Sequence, residues 1–107
     1  MIKTYFFIVI LGETDALKFT EEEKRLNSLG EVQKLAERTY GLVIKGETAP
    51  KPQELREKIS GDNNFLCLVI RILATTKCSW CLYKSNSTYL TGIFETLYKE
   101  TEAKDEQ

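Results

Sequence analysis

The sequence predicts an α+β fold, and two kinds of segment carry that prediction. Lys3–Leu11 and Asn64–Leu73 are rich in aliphatic and aromatic residues, and both are apolar on the two faces that a strand would present. Between them, Gln53–Ser60 follows two prolines and places apolar residues at helical spacing. A strand that is apolar on both faces needs cover on both sides, so we expect helices or a partner against this sheet.

Composition bounds the kind of protein. The chain has 107 residues, 42% of them hydrophobic and 29% charged, which is typical of a single globular domain. We expect that domain over residues 1–100, followed by a polar tail over residues 101–107. The formal net charge of −1 gives no global reason to bind nucleic acid, although a local basic patch would still allow it. No run approaches the ~20 apolar residues that span a bilayer, so no membrane partner is expected. The apolar run Tyr5–Leu11 lacks the small-residue cleavage site of a signal peptide, so a cytoplasmic protein is expected.

The first half of the chain is interpreted as a strand, a helix and one uncertain segment. Thr20 and Glu23 have the spacing of a capping box, which predicts a helix that begins at Thr20 and ends at Gly30. Two interpretations compete for the residues that follow. Either the helix continues to residue 38, or Glu31–Leu35 forms a short edge strand that turns back into a strand at Thr39–Gly46. Local pattern alone leaves both open.

The second half supplies the remaining elements. It predicts a helix stopped by Gly61, the apolar strand Phe65–Leu73, a short fifth strand at Ser79–Lys84 and an amphipathic C-terminal helix from Ser87. The order βαββαβ is the split β-α-β, or ferredoxin-like, arrangement. Right-handed crossovers then place the first and third strands centrally and the fourth at an edge. An apolar edge needs cover, which we expect from Ser79–Lys84 of the same chain or of a partner, and this predicts a homodimer through sheet edges.

Glu13 and Asp15 follow the first strand and are the best-placed pair of carboxylates. Such a pair can hold Mg²⁺ or Mn²⁺ for phosphodiester cleavage. A solvated polar loop is the favoured interpretation, because the sequence offers no third ligand. Histidine is absent, which removes imidazole from acid–base catalysis and metal binding. We therefore expect no cofactor, and the sequence favours a protein that is not an enzyme.

Cys78 and Cys81 have the spacing of a redox or zinc pair. On a strand this spacing sends the two side chains to opposite faces, which suits neither role. A zinc site would also need further ligands, and Cys67 is the one remaining cysteine. We expect three reduced, structural cysteines.

Basic and aromatic residues interleave after the fourth predicted strand. Lys77, Trp80, Tyr83 and Lys84 have the mixture found on surfaces that bind single-stranded nucleic acid, and Arg71 adds a cation from within the strand. A tryptophan such as Trp80 is more often a core or interface anchor than a base-stacking platform. An arginine in a strand more often pairs with a carboxylate, or extends its charged group to the end of the sheet, than binds phosphate. These five residues are the candidate contacts with nucleic acid or with a protein partner.

Several segments together carry a family resemblance. They are Lys3-Thr4-Tyr5, Ser28-Leu29-Gly30, Thr39–Val43, Gln53–Ile59 with the following Asp62-Asn63, and Phe65–Ile70. In this order they resemble the small SinR-like proteins, relatives of the VapD-like ribonucleases and of the small CRISPR-adaptation subunit. The resemblance implies a ferredoxin-like fold, dimers formed through sheets, and a strand directly after the helix-closing glycine, which favours the hairpin. Nuclease members carry an aspartate near the end of the first strand, where Val9-Ile10-Leu11 stands here.

The expected function is a small non-catalytic ferredoxin-like module that acts through oligomerisation or partner binding, in a defence or mobile-element setting. One alternative is a nuclease that uses Glu13 and Asp15 with Mg²⁺ or Mn²⁺. Another is a regulator that binds a small ligand or nucleotide.

Overall fold

The part of the molecule that the structure describes has four strands and three helices. The structure, a computed structural model, describes residues 1–61 and 64–105, with side chains described as far as Thr101. The elements are β1 (Lys3–Leu11), α1 (Ala16–Asn27), β2 (Glu31–Ala36), β3 (Thr39–Gly46), α2 (Pro52–Ser60), β4 (Cys67–Ile72) and α3 (Lys84–Asp105). The predicted α+β class is confirmed. Asp62 and Asn63, which belong to the segments that carry the family resemblance, lie outside the described residues.

The strands form one antiparallel sheet in the order β2-β3-β1-β4. β1 lies between β3 and β4 and pairs with both, so the first and third strands are central and the fourth is an edge, as predicted. β2 forms the other edge. Its pairing with β3 shifts by one residue between Lys34 and Ala36, which is a β-bulge.

One face of the sheet is covered by α1 and α2. Because successive residues of a strand point to opposite faces, alternate residues of β1 and β3 reach this side. The core there consists of Phe7, Val9, Leu11, Tyr40 and Leu42 from the strands and Leu26, Leu55 and Ile59 from the helices. Burying each large apolar side chain contributes about 1.5–3 kcal/mol, so this layer supplies much of the stability.

The opposite face is covered by α3 over part of its area. Its buried core consists of Phe6, Leu35, Val43 and Ile72 from the sheet with Leu90 and Leu97 from the helix. Gly41 lies beneath the contact between β1 and α3, where the rings of Phe6 and Tyr89 meet edge to face at 6.3 Å between centroids. Trp80 stacks on Phe94 at 5.8 Å. No described helix is long and apolar enough to cross a bilayer.

The first helix begins earlier than predicted. It runs over Ala16–Asn27, because the Asp15 carboxylate accepts two backbone N–H groups of the first turn at 3.0 and 3.1 Å. Thr20, the predicted cap, lies inside the helix and donates its hydroxyl to a carbonyl one turn back. The helix also ends before Gly30, so the prediction that this glycine stops it is wrong. α2, by contrast, ends at Gly61 as predicted, with a φ of 59°.

The uncertain segment after α1 is a strand. β2 and β3 form a hairpin, so the edge-strand interpretation is confirmed and the long helix is wrong. The turn between them holds Arg38 at a φ of 58°.

The fifth strand predicted at Ser79–Lys84 is wrong. Residues 79–83 form neither strand nor helix, and Lys84 already begins α3, three residues before the predicted start at Ser87. Trp80 and Leu82 pack against the core beneath α3, so burial on the sheet face replaces pairing beside β4. α3 then continues to Asp105, into the predicted polar tail, whose last two residues lie outside the described part.

Candidate functional site

The outer side of β4 is the candidate site. Among the described residues, β4 pairs with β1 on one side only. The Gly12 N–H donates to the Leu66 carbonyl at 2.8 Å. Because hydrogen-bonded pairs recur every second residue along an antiparallel pair of strands, the even-numbered residues of β4 direct their backbone groups towards β1. The N–H and C=O groups of Cys67, Val69 and Arg71 therefore point outward, and no described residue hydrogen-bonds to them.

This outward stretch has defined ends. Before it, the Leu66 N–H donates to Glu13 Oε1 at 2.8 Å. After it, the Leu73 N–H donates to Thr76 Oγ1 at 2.9 Å, and the Thr76 N–H returns to the Leu73 carbonyl at 3.0 Å. Residues 67–71 are thus the stretch whose outward groups are open, and that stretch is symmetrical about Val69.

Apolar side chains accompany these backbone groups. On the part of the α3-side face that the helix leaves uncovered, the exposed fraction is 63% for Leu66, 51% for Leu68, 43% for Ile70 and 37% for Ile10 on the neighbouring strand. Single exposed apolar residues are ordinary, but a contiguous set on adjacent strands marks an interaction surface. We call the outward backbone of residues 67–71, with the side chains of Leu68 and Ile70, the β4 edge.

Glu13 and Asp15, the predicted acidic pair, each bind backbone. Asp15 caps α1, and Glu13 binds the residue before β4. The carbonyl of Glu13 also accepts a hydrogen bond from the Arg38 guanidinium, which lies 4.8 Å above the ring of Phe19. Within the described ranges, no group of three or more Cys, Asp or Glu side chains is arranged to hold a metal ion. Both carboxylates therefore have a structural role at the ends of elements.

The five predicted contact residues lie in different surroundings. Arg71 is exposed, with its guanidinium 5.5 Å from the centre of the Tyr5 ring. Trp80 is half-buried on the face of the sheet that α3 covers. Lys77, Tyr83 and Lys84 are exposed, and Tyr83 also supplies its carbonyl to the first turn of α3.

Glu22 is an acid that the sequence predictions missed. It is fully buried, and neither carboxylate oxygen hydrogen-bonds to a described residue. Burial raises the pKa of this carboxyl group. The available signal was its spacing, since Glu22 precedes the buried Leu26 by four residues and so shares the inner face of α1.

The three cysteines are free thiols. Cys78 and Cys81 are exposed, whereas Cys67, the first residue of β4, is half-buried with the Ser60 hydroxyl 3.6 Å from its sulfur. Burial raises the pKa of the Cys67 thiol, which makes it a poor nucleophile at neutral pH.

Comparison with protein-family models, with curated proteins and with solved structures returns no match for this chain. The resemblance to the SinR-like proteins stays a prediction, so function has to follow from the geometry of the β4 edge and its surroundings.

Proposed function

We propose that this chain is a small non-catalytic ferredoxin-like module that acts by association through the β4 edge. The observation that carries the proposal is an edge strand with open backbone groups and exposed apolar side chains side by side. The strand order β2-β3-β1-β4, with α1 and α2 on one face, supports the ferredoxin-like assignment.

Strand addition would stabilise a complex in two ways. Each backbone hydrogen bond formed by Cys67, Val69 or Arg71 contributes a net ~0.5–1.5 kcal/mol once the exchange with water is counted. Covering Leu68 and Ile70 adds ~25 cal/mol for each Å² of apolar surface removed from water. An open edge is also the feature that proteins use when they recognise an extended peptide by adding it to a sheet.

A second copy of this chain is the partner we propose. Because residues 67–71 are symmetrical about Val69, a two-fold axis there would let two β4 strands pair antiparallel. Cys67 of each copy would then lie opposite Arg71 of the other, and Val69 opposite its own equivalent. Each of these pairs would exchange two N–H···O=C bonds, and Leu68 would lie beside Ile70 of the second copy.

Charge favours this register over the one centred on Arg71. Arg71 is the charged residue of β4, and an axis at Arg71 would place two guanidinium groups directly opposite each other, which destabilises a sheet. The segment that the sequence predicted as cover, Ser79–Lys84, is an unsuitable donor because Trp80 and Leu82 are packed in their own chain. β4 itself is the strand that a second copy can offer.

The proposal is tested by mass in solution combined with a charge exchange. Light scattering after size-exclusion chromatography should give twice the chain mass of 12.3 kDa. Leu68→Lys alone and Ile70→Glu alone should each weaken the dimer about tenfold or more, since a charge would face an apolar side chain. The double variant should recover much of that loss, because Lys at position 68 would face Glu at position 70 of the second copy.

Leu17→Lys is the matched control, since Leu17 is an exposed apolar residue on α1, away from β4. It should leave the dimer intact. A wild-type protein that stays monomeric at high micromolar concentration would contradict the homodimer. A dimer that ignores both single variants would show that association uses another surface.

A further inference from the structure

A cavity of about 380 Å³ lies where β4 leaves the sheet. The β1–β4 register pairs Phe6 with Ile72, so its continuation would bring Ala74 opposite Thr4. The turn at Leu73–Thr76 takes the chain away before that pairing forms. The cavity occupies the resulting gap beside the N-terminal end of β1.

Thr4 and Glu100 form the polar floor of this cavity. Even-numbered residues of β1 direct their backbone groups towards β4, and Thr4 has no strand partner there. Its N–H donates instead to Glu100 Oε2 of α3 at 2.9 Å. The Thr4 carbonyl and the second Glu100 oxygen have no donor among the described residues, so the floor offers two acceptors to a ligand.

Two cations line the same cavity. Lys3 is half-buried and Arg71 is exposed, and neither forms an ion pair with a described residue. The Arg71 guanidinium lies over the Tyr5 ring, and the Tyr5 hydroxyl donates to the Glu47 carbonyl at 3.3 Å, which orients the ring. With Glu100 included, the lining carries a net charge of one positive unit.

We propose that this cavity binds a small zwitterion of the free amino-acid class. The ligand carboxylate would face Arg71 and Lys3, where charge-assisted hydrogen bonds are strong. The ammonium group would face Glu100 and the Thr4 carbonyl. Ile72 and Leu97, which also line the cavity, would contact an aliphatic side chain. The volume falls within the ~300–1,000 Å³ of small-molecule sites, and the proposal does not depend on pairing at the β4 edge.

Thermal shift and calorimetry with L-leucine test this site. Leucine should raise the melting temperature in a saturable manner, as ligands specific to the native state do. N-acetyl-L-leucine lacks the ammonium group and L-leucinamide lacks the carboxylate, so each should bind at least about tenfold more weakly. Equal binding of all three compounds would overturn the assignment to a zwitterion.

Variants locate the binding. Arg71→Met and Glu100→Gln should each weaken leucine binding about tenfold, and the glutamine keeps an oxygen for the Thr4 N–H. Arg56→Met and Glu95→Gln, exposed charges outside the cavity, should leave it unchanged. If none of the twenty L-amino acids raises the melting temperature at millimolar concentration, or if the cavity variants bind leucine as the wild type does, the proposal is wrong.

Discussion

β2 and β4 are the two edges of one sheet, and their outward sides differ. β2 carries Glu31 and Lys34 and has a bulge before Ala36. β4 carries one charged residue and exposes Leu68 and Ile70 beside open backbone groups. Charges and bulges are the devices by which natural proteins prevent edge-to-edge pairing. One edge is therefore protected and the other is suited to association, although both belong to the same sheet.

The contacts that hold the two edge strands to the rest of the molecule are similar. Each has one apolar side chain buried beneath α3, Leu35 on β2 and Ile72 on β4. Each is also held by one buried polar side chain from outside the sheet: Asn86 binds β2 itself, and Ser60 binds Phe65, two residues before β4. Substitutions of these buried residues should therefore affect the two edges alike, whereas substitutions on the outward side of each edge strand should affect them differently.

The largest effect is expected from the buried apolar residues. Leu35→Ala and Ile72→Ala should each lower the free energy of unfolding by about 2–5 kcal/mol, because both leave a cavity in the core. Urea denaturation followed by circular dichroism, at one fixed protein concentration, measures this. Leu17→Ala, at an exposed position, is the control and should change stability by less than about 0.5 kcal/mol. A much smaller loss for Ile72→Ala would mean that β4 is held less firmly than β2.

The buried polar residues come next. Asn86 accepts a hydrogen bond from Gln33 at 3.0 Å and donates to the Leu35 carbonyl at 3.1 Å, whereas Ser60 donates to the Phe65 carbonyl at 2.8 Å. Replacing either by alanine should cost about 1–3 kcal/mol. Asn86→Ala should cost more, because it loses two bonds to oxygen or nitrogen, whereas Ser60→Ala loses one such bond and the weaker 3.6 Å contact with the Cys67 sulfur.

Amide hydrogen exchange should show where each substitution acts. Asn86→Ala should speed exchange in β2, and Ser60→Ala should speed exchange at the start of β4. Faster exchange at both edges in either variant would mean that the two edges open together.

A smaller effect is expected from the buried Glu22. The pKa of Glu22 is raised, chiefly by burial and in smaller part by the Glu13 carboxylate. The Glu13 backbone amide and the Arg38 guanidinium lower it by less. A raised pKa stabilises the fold fully below the ordinary value of 4.5, and this contribution is lost as pH rises through the folded-state pKa. Glu22→Gln should therefore be more stable than the wild type at pH 7 and equal to it near pH 4. Melting temperatures that fall in parallel from pH 4 to pH 8 would contradict this.

The smallest effect on stability is expected from the outer side of β2. Lys34→Val should change the free energy of unfolding by less than about 0.5 kcal/mol, because Lys34 is exposed. It should nevertheless raise the mass in solution at high concentration, since it removes a charge that protects this edge. An unchanged mass would show that the bulge alone is sufficient protection.

Local signals predicted the parts of the fold that local chemistry decides. Pro52 and Gly61 delimit α2 because a proline and a positive φ act within one turn of the helix. The start of α1 was mispredicted because Asp15 and Thr20 are both competent caps. The choice between them depends on how the helix packs over the sheet, which local sequence does not encode.

The β4 edge was predicted in part. The continuous apolar run of β4 predicted that both faces of the strand are apolar, but it did not show what covers them. Trp80 and Leu82 alternate in a way that suits a strand beside β4 and equally suits packing beneath α3, and only tertiary contacts decide between the two. Glu13 and Asp15 were candidates for a metal site because the sequence does not show which backbone N–H groups need an acceptor.

Gly41 has a mechanical consequence. A Cβ atom there would lie 3.0 Å from the Phe6 ring and 3.2 Å from the Tyr89 ring, so a methyl group would have to push the two rings apart by a few tenths of an ångström. Tyr89 belongs to α3, the same continuous helix that carries Glu100 some 16 Å further along its axis. Because Gly41 has no side chain, α3 can lie close to the sheet at Tyr89. That spacing also sets the position of Glu100, whose carboxylate binds the Thr4 N–H.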